Sequence, residues 1–194
     1  MAVLTFVMFT VWALVKSFMN RPPGDYHTEV CDMRLKDKKY DEALDAANTA
    51  LQKTPNHRGA IMCKALIFIS DKKYFKATEE LNYLIIFLEN NLEDDDKTGK
   101  GTLAAAYANR GIIKDREQNY EGALKDYIKA LGIDSEAVAG PGLGTIILNY
   151  KYKSSSVRER ALYLNEQLQL PEEERVLRIE ELDEGQVMHK PGKL

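Results

Sequence analysis

The chain has 194 residues, enough to bury one sizeable core or an elongated stack of helix pairs. Hydrophobic residues make up 44% and charged residues 29%, as is ordinary for a soluble domain. The formal net charge of −3, without a basic stripe of interleaved aromatic residues, argues against general nucleic-acid binding.

The first predicted element is an apolar segment that carries no charge from Ala2 to Val15. A helix from Ala2 to Met19 would span about 27 Å, close to the ~30 Å hydrocarbon core of a bilayer. A signal peptide would need basic residues before the run and a small-residue cleavage site after it, and neither is present. We therefore predict a transmembrane anchor over residues 1–20, with a cleaved signal peptide and a buried docking helix as alternatives. The candidate anchor residues are Phe6, Phe9, Trp12 and Lys16.

The flanks of this segment predict its orientation. Lys16 and Arg21 follow the apolar run, so the positive-inside rule predicts that the rest of the chain lies on the cytoplasmic side. Residues 21–25, with two consecutive prolines, are expected to form a hinge.

A period of 34 residues runs through the middle of the chain. In the stretch Ala104 to Leu131, two predicted helices are joined by a short polar turn, and Gly111 on the first helix would let a neighbour come close. The periodic positions of three copies are Tyr40, Ala43, Ala47 and Ala50; Tyr74, Ala77, Leu81 and Leu84; and Tyr120, Ala123, Tyr127 and Ala130. The third copy follows the second after 34 residues plus an insertion of 12. This helix–turn–helix period resembles the tetratricopeptide repeat (TPR) family.

The resemblance implies an all-α fold, a right-handed α-solenoid of three to four TPR repeats between an N-terminal transmembrane helix and a C-terminal capping helix. The repeat array would cover residues 26–170. Its repeats would span about 24–57, 58–91, 104–137 and a degenerate 138–170, with an insertion at 92–103 that forms a solvated loop or extends the flanking helices. Residues 171–194 would supply the capping helix, beginning after Pro171, and a tail.

The two cysteines, Cys31 and Cys63, both fall in predicted first helices of repeats. They do not indicate a disulfide framework, so we expect buried or half-buried free thiols, which weakly favour a reducing compartment.

Two short motifs resemble parts of ligand-binding loops, but the surrounding sequence does not support a calcium or phosphate site at either one. Asp94, Asp96, Thr98 and Gly99 match the start of a calcium-binding loop, but its twelfth position is Ala105, where a bidentate Glu is needed. The glycine-rich turn at residues 139–144 lacks the preceding strand and the Gly-Lys-Ser/Thr ending of a phosphate loop. We therefore expect an acidic surface loop and a flexible turn.

The three histidines, His27, His57 and His189, are scattered, without a His-Glu-x-x-His or paired Cys/His spacing. There is also no Gly-x-Ser-x-Gly elbow. We predict no metal, no cofactor and no enzyme activity, since a catalytic site needs convergent groups.

If the chain follows the family's geometry, the first helices of the repeats line a concave groove. The candidate groove residues are Met62, Leu66, Ile69, Ala105, Ala108, Asn109, Ile112, Arg116 and Ile146. One branch of the family clamps acidic chaperone tails there with Lys, Asn and Arg, but only Asn109 resembles a clamp residue, and Asp25 and Asp32 would repel such a tail. The expected ligand is an apolar or amphipathic partner segment. The alternative is that the chain fills the groove itself, for example with the helix after Pro171.

These features predict a membrane-anchored TPR adaptor or accessory subunit that holds another protein at the membrane face. The alternatives are a soluble TPR chaperone for apolar client segments and a structural subunit of a large membrane complex.

Overall fold

The computed structural model describes residues 2–19, 22–138, 156–179, 186, 188 and 189. Within these residues the chain is all-helical and forms no strand, which confirms the predicted fold class at this level. The α-helices are α1 (Ala2–Met19), α2 (Asp25–Lys36), α3 (Tyr40–Lys53), α4 (Arg58–Ser70), α5 (Tyr74–Asn91), α6 (Lys97–Arg116), α7 (Tyr120–Ile133) and α8 (Val157–Leu168), and a short 3-10 turn spans Glu172–Glu174. The chain divides into two compact units, Met1–Cys63 and Lys64–Leu194.

The turn between the two helices of a hairpin has the same backbone conformation in three places. Lys38, Lys72 and Gln118 all have left-handed backbone angles, with φ of 58°, 57° and 63°. The next residue donates its N–H to the carbonyl oxygen five residues back, a bond that ends a helix at a left-handed residue. The three bonds are Lys39 to Arg34, Lys73 to Phe68 and Asn119 to Lys114. The repetition predicted from apolar side chains is therefore also present in the backbone, and its second helices begin at Tyr40, Tyr74 and Tyr120.

In the unit Met1–Cys63, α2 and α3 form a hairpin with a small-residue interface. The buried residues of α3 are Ala43, Ala46, Ala47 and Ala50. Methyl side chains let the backbone of a neighbouring helix approach closely. The start of α2 is fixed by two side chains from beyond α3: Thr54 Oγ1 donates to the Pro23 carbonyl oxygen, and His57 Nε2 lies 2.7 Å from Asp25 Oδ1. The described part of the predicted hinge is thus held in place by hydrogen bonds.

The expectation of free thiols is wrong, because Cys31 and Cys63 form a disulfide. Both residues are at most 1% exposed, and their Cα atoms lie 6.5 Å apart. Since Cys31 lies in α2 and Cys63 in α4, the bond joins the first helices of two consecutive hairpins. Disulfides persist mainly in oxidising compartments, so the two cysteines do not favour a reducing compartment.

The N-terminal helix α1 has exposed apolar side chains, among them Phe6, Phe9 and Trp12, and Lys16 Nζ lies 4.8 Å from the centre of the Trp12 ring. Among the helices formed by the described residues, none combines the length and the apolar character needed to cross a membrane. The predicted anchor over residues 1–20 is therefore not supported. The cytoplasmic orientation was inferred from that anchor and is not supported either.

In the unit Lys64–Leu194, α6 is the central helix and is buried along most of its length. Gly111 allows the close approach of α7, because a Cβ atom at this position would lie 2.6 Å from Tyr127 Cε1. The side chain of Asp96 accepts a hydrogen bond from the N–H of Gly99 and caps α6. The second half of the predicted insertion is therefore an extension of a helix, and Asp96 serves as its cap.

The capping helix predicted after Pro171 is wrong for the residues described, which form a single 3-10 turn and then leave the helical conformation. In a helix the backbone N–H and C=O groups of this stretch would bond to one another, but here side chains of α8 bond to several of them. Gln167 Oε1 accepts from the N–H of Val176, and Tyr163 Oη donates to the carbonyl oxygen of the same residue. Arg160 Nη2 donates to the Leu177 carbonyl oxygen.

Candidate functional site

The candidate site is a surface of the unit Lys64–Leu194 that we call the α6 groove, formed by Asn109, Ile112 and Asp115 of α6 with Tyr127 of α7 and Arg160 of α8. The three α6 residues follow one another at intervals of three, so they lie along one face of the helix. Asn109 and Ile112 are at most 2% exposed, and Asp115 is 6% exposed. The groove is therefore built from buried side chains held by three helices.

Asn109 binds the backbone of a residue 80 positions away in the sequence. Its Nδ2 donates to the carbonyl oxygen of His189 at 2.7 Å, and its Oδ1 accepts from the N–H of His189 at 2.8 Å. A side-chain amide offers both a donor and an acceptor, which match the N–H and C=O of one residue. This contact recognises a peptide backbone without regard to the side chain it carries.

Asp115 is the centre of a buried polar cluster. Arg160 donates to both carboxylate oxygens of Asp115 at 2.7 Å, and both side chains are buried. Tyr127 Oη donates to Oδ2 at 3.1 Å, and burial, with the neighbouring carboxylate as a further cause, raises the pKa of Tyr127 well above its ordinary value. Gln186 Nε2 also donates to Oδ2 at 2.8 Å. The carboxylate thus accepts a hydrogen bond from a residue 71 positions away while its charge is balanced by Arg160.

The same C-terminal residues make further contacts. Ser70 Oγ, at the end of α4, lies 4.0 Å from Met188 Sδ. The side chain of His189 is buried, and this burial lowers the pKa of His189 to about 4, so its imidazole is neutral at pH 7. Gln186, Met188 and His189, which we call the C-terminal segment, therefore lie against α4 and the α6 groove.

A second polar cluster joins α5, α6 and α7. Arg110 donates to both carboxylate oxygens of Asp126 at 2.7 Å and to the side chain of Asn82. Tyr107 Oη donates to Glu89 Oε1 at 2.6 Å, and burial together with this bond raises the pKa of Tyr107 to about 12. All of these donors and acceptors are supplied by the three helices themselves, so the cluster serves packing within the unit.

The residues predicted to line the groove occupy different environments. The buried residues are Met62, Leu66, Ile69, Ala105, Ala108, Asn109 and Ile112, and each is at most 3% exposed. Of these, Asn109 binds the C-terminal segment, and Ile112 lines the same small cavity as His189. Arg116 lies over the ring of Tyr74, with its Cζ atom 6.0 Å from the ring centre. Ile146 lies outside the described residues.

Sequence reasoning missed Tyr127 and Arg160 as parts of the site, and it offered occupation of the groove by the chain itself only as an alternative, through a helix after Pro171 and not through the C-terminal segment. Tyr127 occupies a periodic apolar position, where nothing distinguishes it from core. Arg160 and His189 lie far from α6 along the chain, so their proximity depends on the tertiary fold. A charged residue such as Arg160 between apolar positions of a helix is the only local signal that could have indicated a buried ion pair.

No protein-family model matches the sequence, and no curated protein matches it. Among solved structures, the chain is similar to the first TPR of Spaghetti (RPAP3) bound to the HSP90 peptide SRMEEVD, with 23% identity and a TM-score of 0.47 over 58% of this chain and 80% of that one. It is also similar to the Arabidopsis OM64 TPR domain, with 16% identity and a TM-score of 0.48 over 59% of this chain and 84% of that one.

Proposed function

We propose that the chain is a protein-interaction module that binds an extended segment of a partner protein in the α6 groove. The observation that carries the proposal is the pair of hydrogen bonds between the Asn109 side chain and the backbone of His189. Main-chain hydrogen bonds of this kind give affinity for extended peptides, while neighbouring pockets give specificity. Asn109 is fully buried, so its hydrogen bonds to a peptide backbone are formed in a low dielectric, where they are stronger than in water. The position is therefore suited to a site that holds a peptide backbone.

The helical-hairpin architecture supports the same function. The hairpins recur after 34 residues and then, with an insertion of 12, after 46, and repeat proteins commonly use the first helices of such hairpins to bind protein ligands. Met188, an apolar side chain, fits the expectation of an apolar or amphipathic ligand. The proposal does not include a membrane anchor, because the described helices lack one of sufficient length and apolar character.

An adaptor and a chaperone for apolar client segments would use this site differently. An adaptor recognises one sequence, whereas a chaperone accepts many. Selection of a phage-displayed peptide library on the full chain separates the two, since an adaptor yields one consensus and a chaperone yields a broad set that shares only apolar character. Failure to select any peptide would contradict both.

The role of Asn109 is tested by measuring the affinity of the selected peptides for Asn109→Ala. Loss of two hydrogen bonds at about 0.5–1.5 kcal/mol each predicts binding roughly 5- to 150-fold weaker. Asn90→Ala is the matched control, because Asn90 is exposed on α5 and its amide donates to the Ile86 carbonyl oxygen of its own helix. Peptides that bind Asn109→Ala as tightly as the wild type would place the site elsewhere.

A further inference from the structure

The C-terminal segment occupies the position that a bound peptide would need. His189 takes both hydrogen-bonding groups of Asn109, and Gln186 donates to Asp115. Gln186 Nε2 also lies 3.4 Å from Tyr127 Oη. These contacts come from a part of the chain that is 59 to 80 residues away from its partners in sequence. The segment thus contacts the groove from a distant part of the sequence, as a separate peptide would.

The groove defines which side chains such a ligand can carry. At the Gln186 position the ligand donates to Asp115 Oδ2, so an amide or another donor fits, whereas an ionised acidic side chain has no hydrogen to donate. At the His189 position the side chain is 7% exposed, so a charged group would be desolvated without compensation. The backbone N–H at this position donates to Asn109, which excludes proline.

We infer that the C-terminal segment is an internal ligand, and that a partner binds by displacing it with an extended segment of the same chemistry: a hydrogen-bond donor three residues before a buried, uncharged, non-proline residue. This inference rests on the proposed function, since it names the ligand class of the same groove. A tethered segment competes at an effective concentration in the millimolar range when its linker is short. A free partner segment therefore binds the intact chain more weakly than it would bind a groove from which the C-terminal segment has been released.

The experiment uses a fluorescent synthetic peptide of residues 183–194, DEGQVMHKPGKL, and measures its binding to full-length chains by fluorescence anisotropy. His189→Asp is designed to release the internal segment while leaving the groove residues unchanged, and Gln186→Glu is a second variant designed to release it. We expect both variants to bind the peptide about tenfold or more tightly than the wild type does. Adding Asn109→Ala to either variant should abolish the gain, and a peptide with Asp in place of its histidine should not bind.

The outcomes separate this inference from the proposed function. Equal affinity of the peptide for the wild type and both releasing variants would overturn the internal ligand, as would no binding to either variant. If library-selected peptides nevertheless bind through Asn109, the proposed function stands while the inference fails. If the tail peptide binds a releasing variant but no library peptide binds any form, the segment closes the groove structurally and both proposals fail. Circular dichroism of the variants confirms that each chain is folded.

Discussion

Removing the disulfide between Cys31 and Cys63 should strongly destabilise the unit Met1–Cys63. The two residues are separated by 32 positions, so their bond closes a loop of intermediate length. The loop-entropy relation gives about 12–13 cal/mol/K for such a loop, which corresponds to about 3–4 kcal/mol at 25 °C. This is a large share of the ~5–15 kcal/mol that stabilises a typical domain. Urea unfolding followed by circular dichroism, with and without a phosphine reductant, measures the difference.

The control is the double variant Cys31→Ala/Cys63→Ala, which should resemble the reduced wild type and should not respond to the reductant. Mass spectrometry after alkylation without reduction counts the free thiols. The reasoning would be refuted if the non-reduced chain carried two free thiols. It would also be refuted if reduction changed the free energy of unfolding by less than about 0.5 kcal/mol, the size of an ordinary surface effect.

Three further perturbations test the packing of the second unit. Arg160→Met leaves its partner carboxylate buried without a cation and should cost about 3–5 kcal/mol in urea unfolding; a loss under 1 kcal/mol would contradict the buried pair. Gly111→Ala places a methyl group 2.6 Å from the Tyr127 ring and should lower stability by about 1–3 kcal/mol, whereas Gly132→Ala, with no atom within 4 Å, should not lower it. The pKa of His189 is about 4 in the docked state and 6.5 when free, so docking is strongest above pH 6.5 and weakens about tenfold per pH unit down to pH 4. NMR titration checks this, and a pKa near 6.5 in the wild type would show that His189 is not buried.

The helical hairpins could be predicted from sequence because their signals are local. Tyr40, Tyr74 and Tyr120 each begin a second helix, as the 34-residue pattern indicates. Spacing of apolar residues determines which helix face is buried, and this information lies within one turn or two of each residue. The all-helical class therefore followed from the chain without reference to long-range contacts.

Contacts between distant residues could not be predicted in the same way. The spacing of Cys31 and Cys63 is close to the repeat period, but whether their sulfur atoms meet depends on how consecutive hairpins pack. The sequence after Pro171 has strong helical signals in its first turn, yet it adopts another conformation, in which Val176 donates to Gln167 and accepts from Tyr163. Asn109 was recognised as a groove residue, but its ligand, 80 residues away, has no local signature.

The left-handed turns show that this chain is less stable than its fold allows. Lys38, Lys72 and Gln118 adopt a backbone handedness that disfavours residues with a Cβ atom by about 1–2 kcal/mol each, and glycine would relieve that strain. The chain keeps long polar side chains at all three corners. It therefore holds an unused reserve of thermal tolerance at these three corners, which glycine substitutions could release.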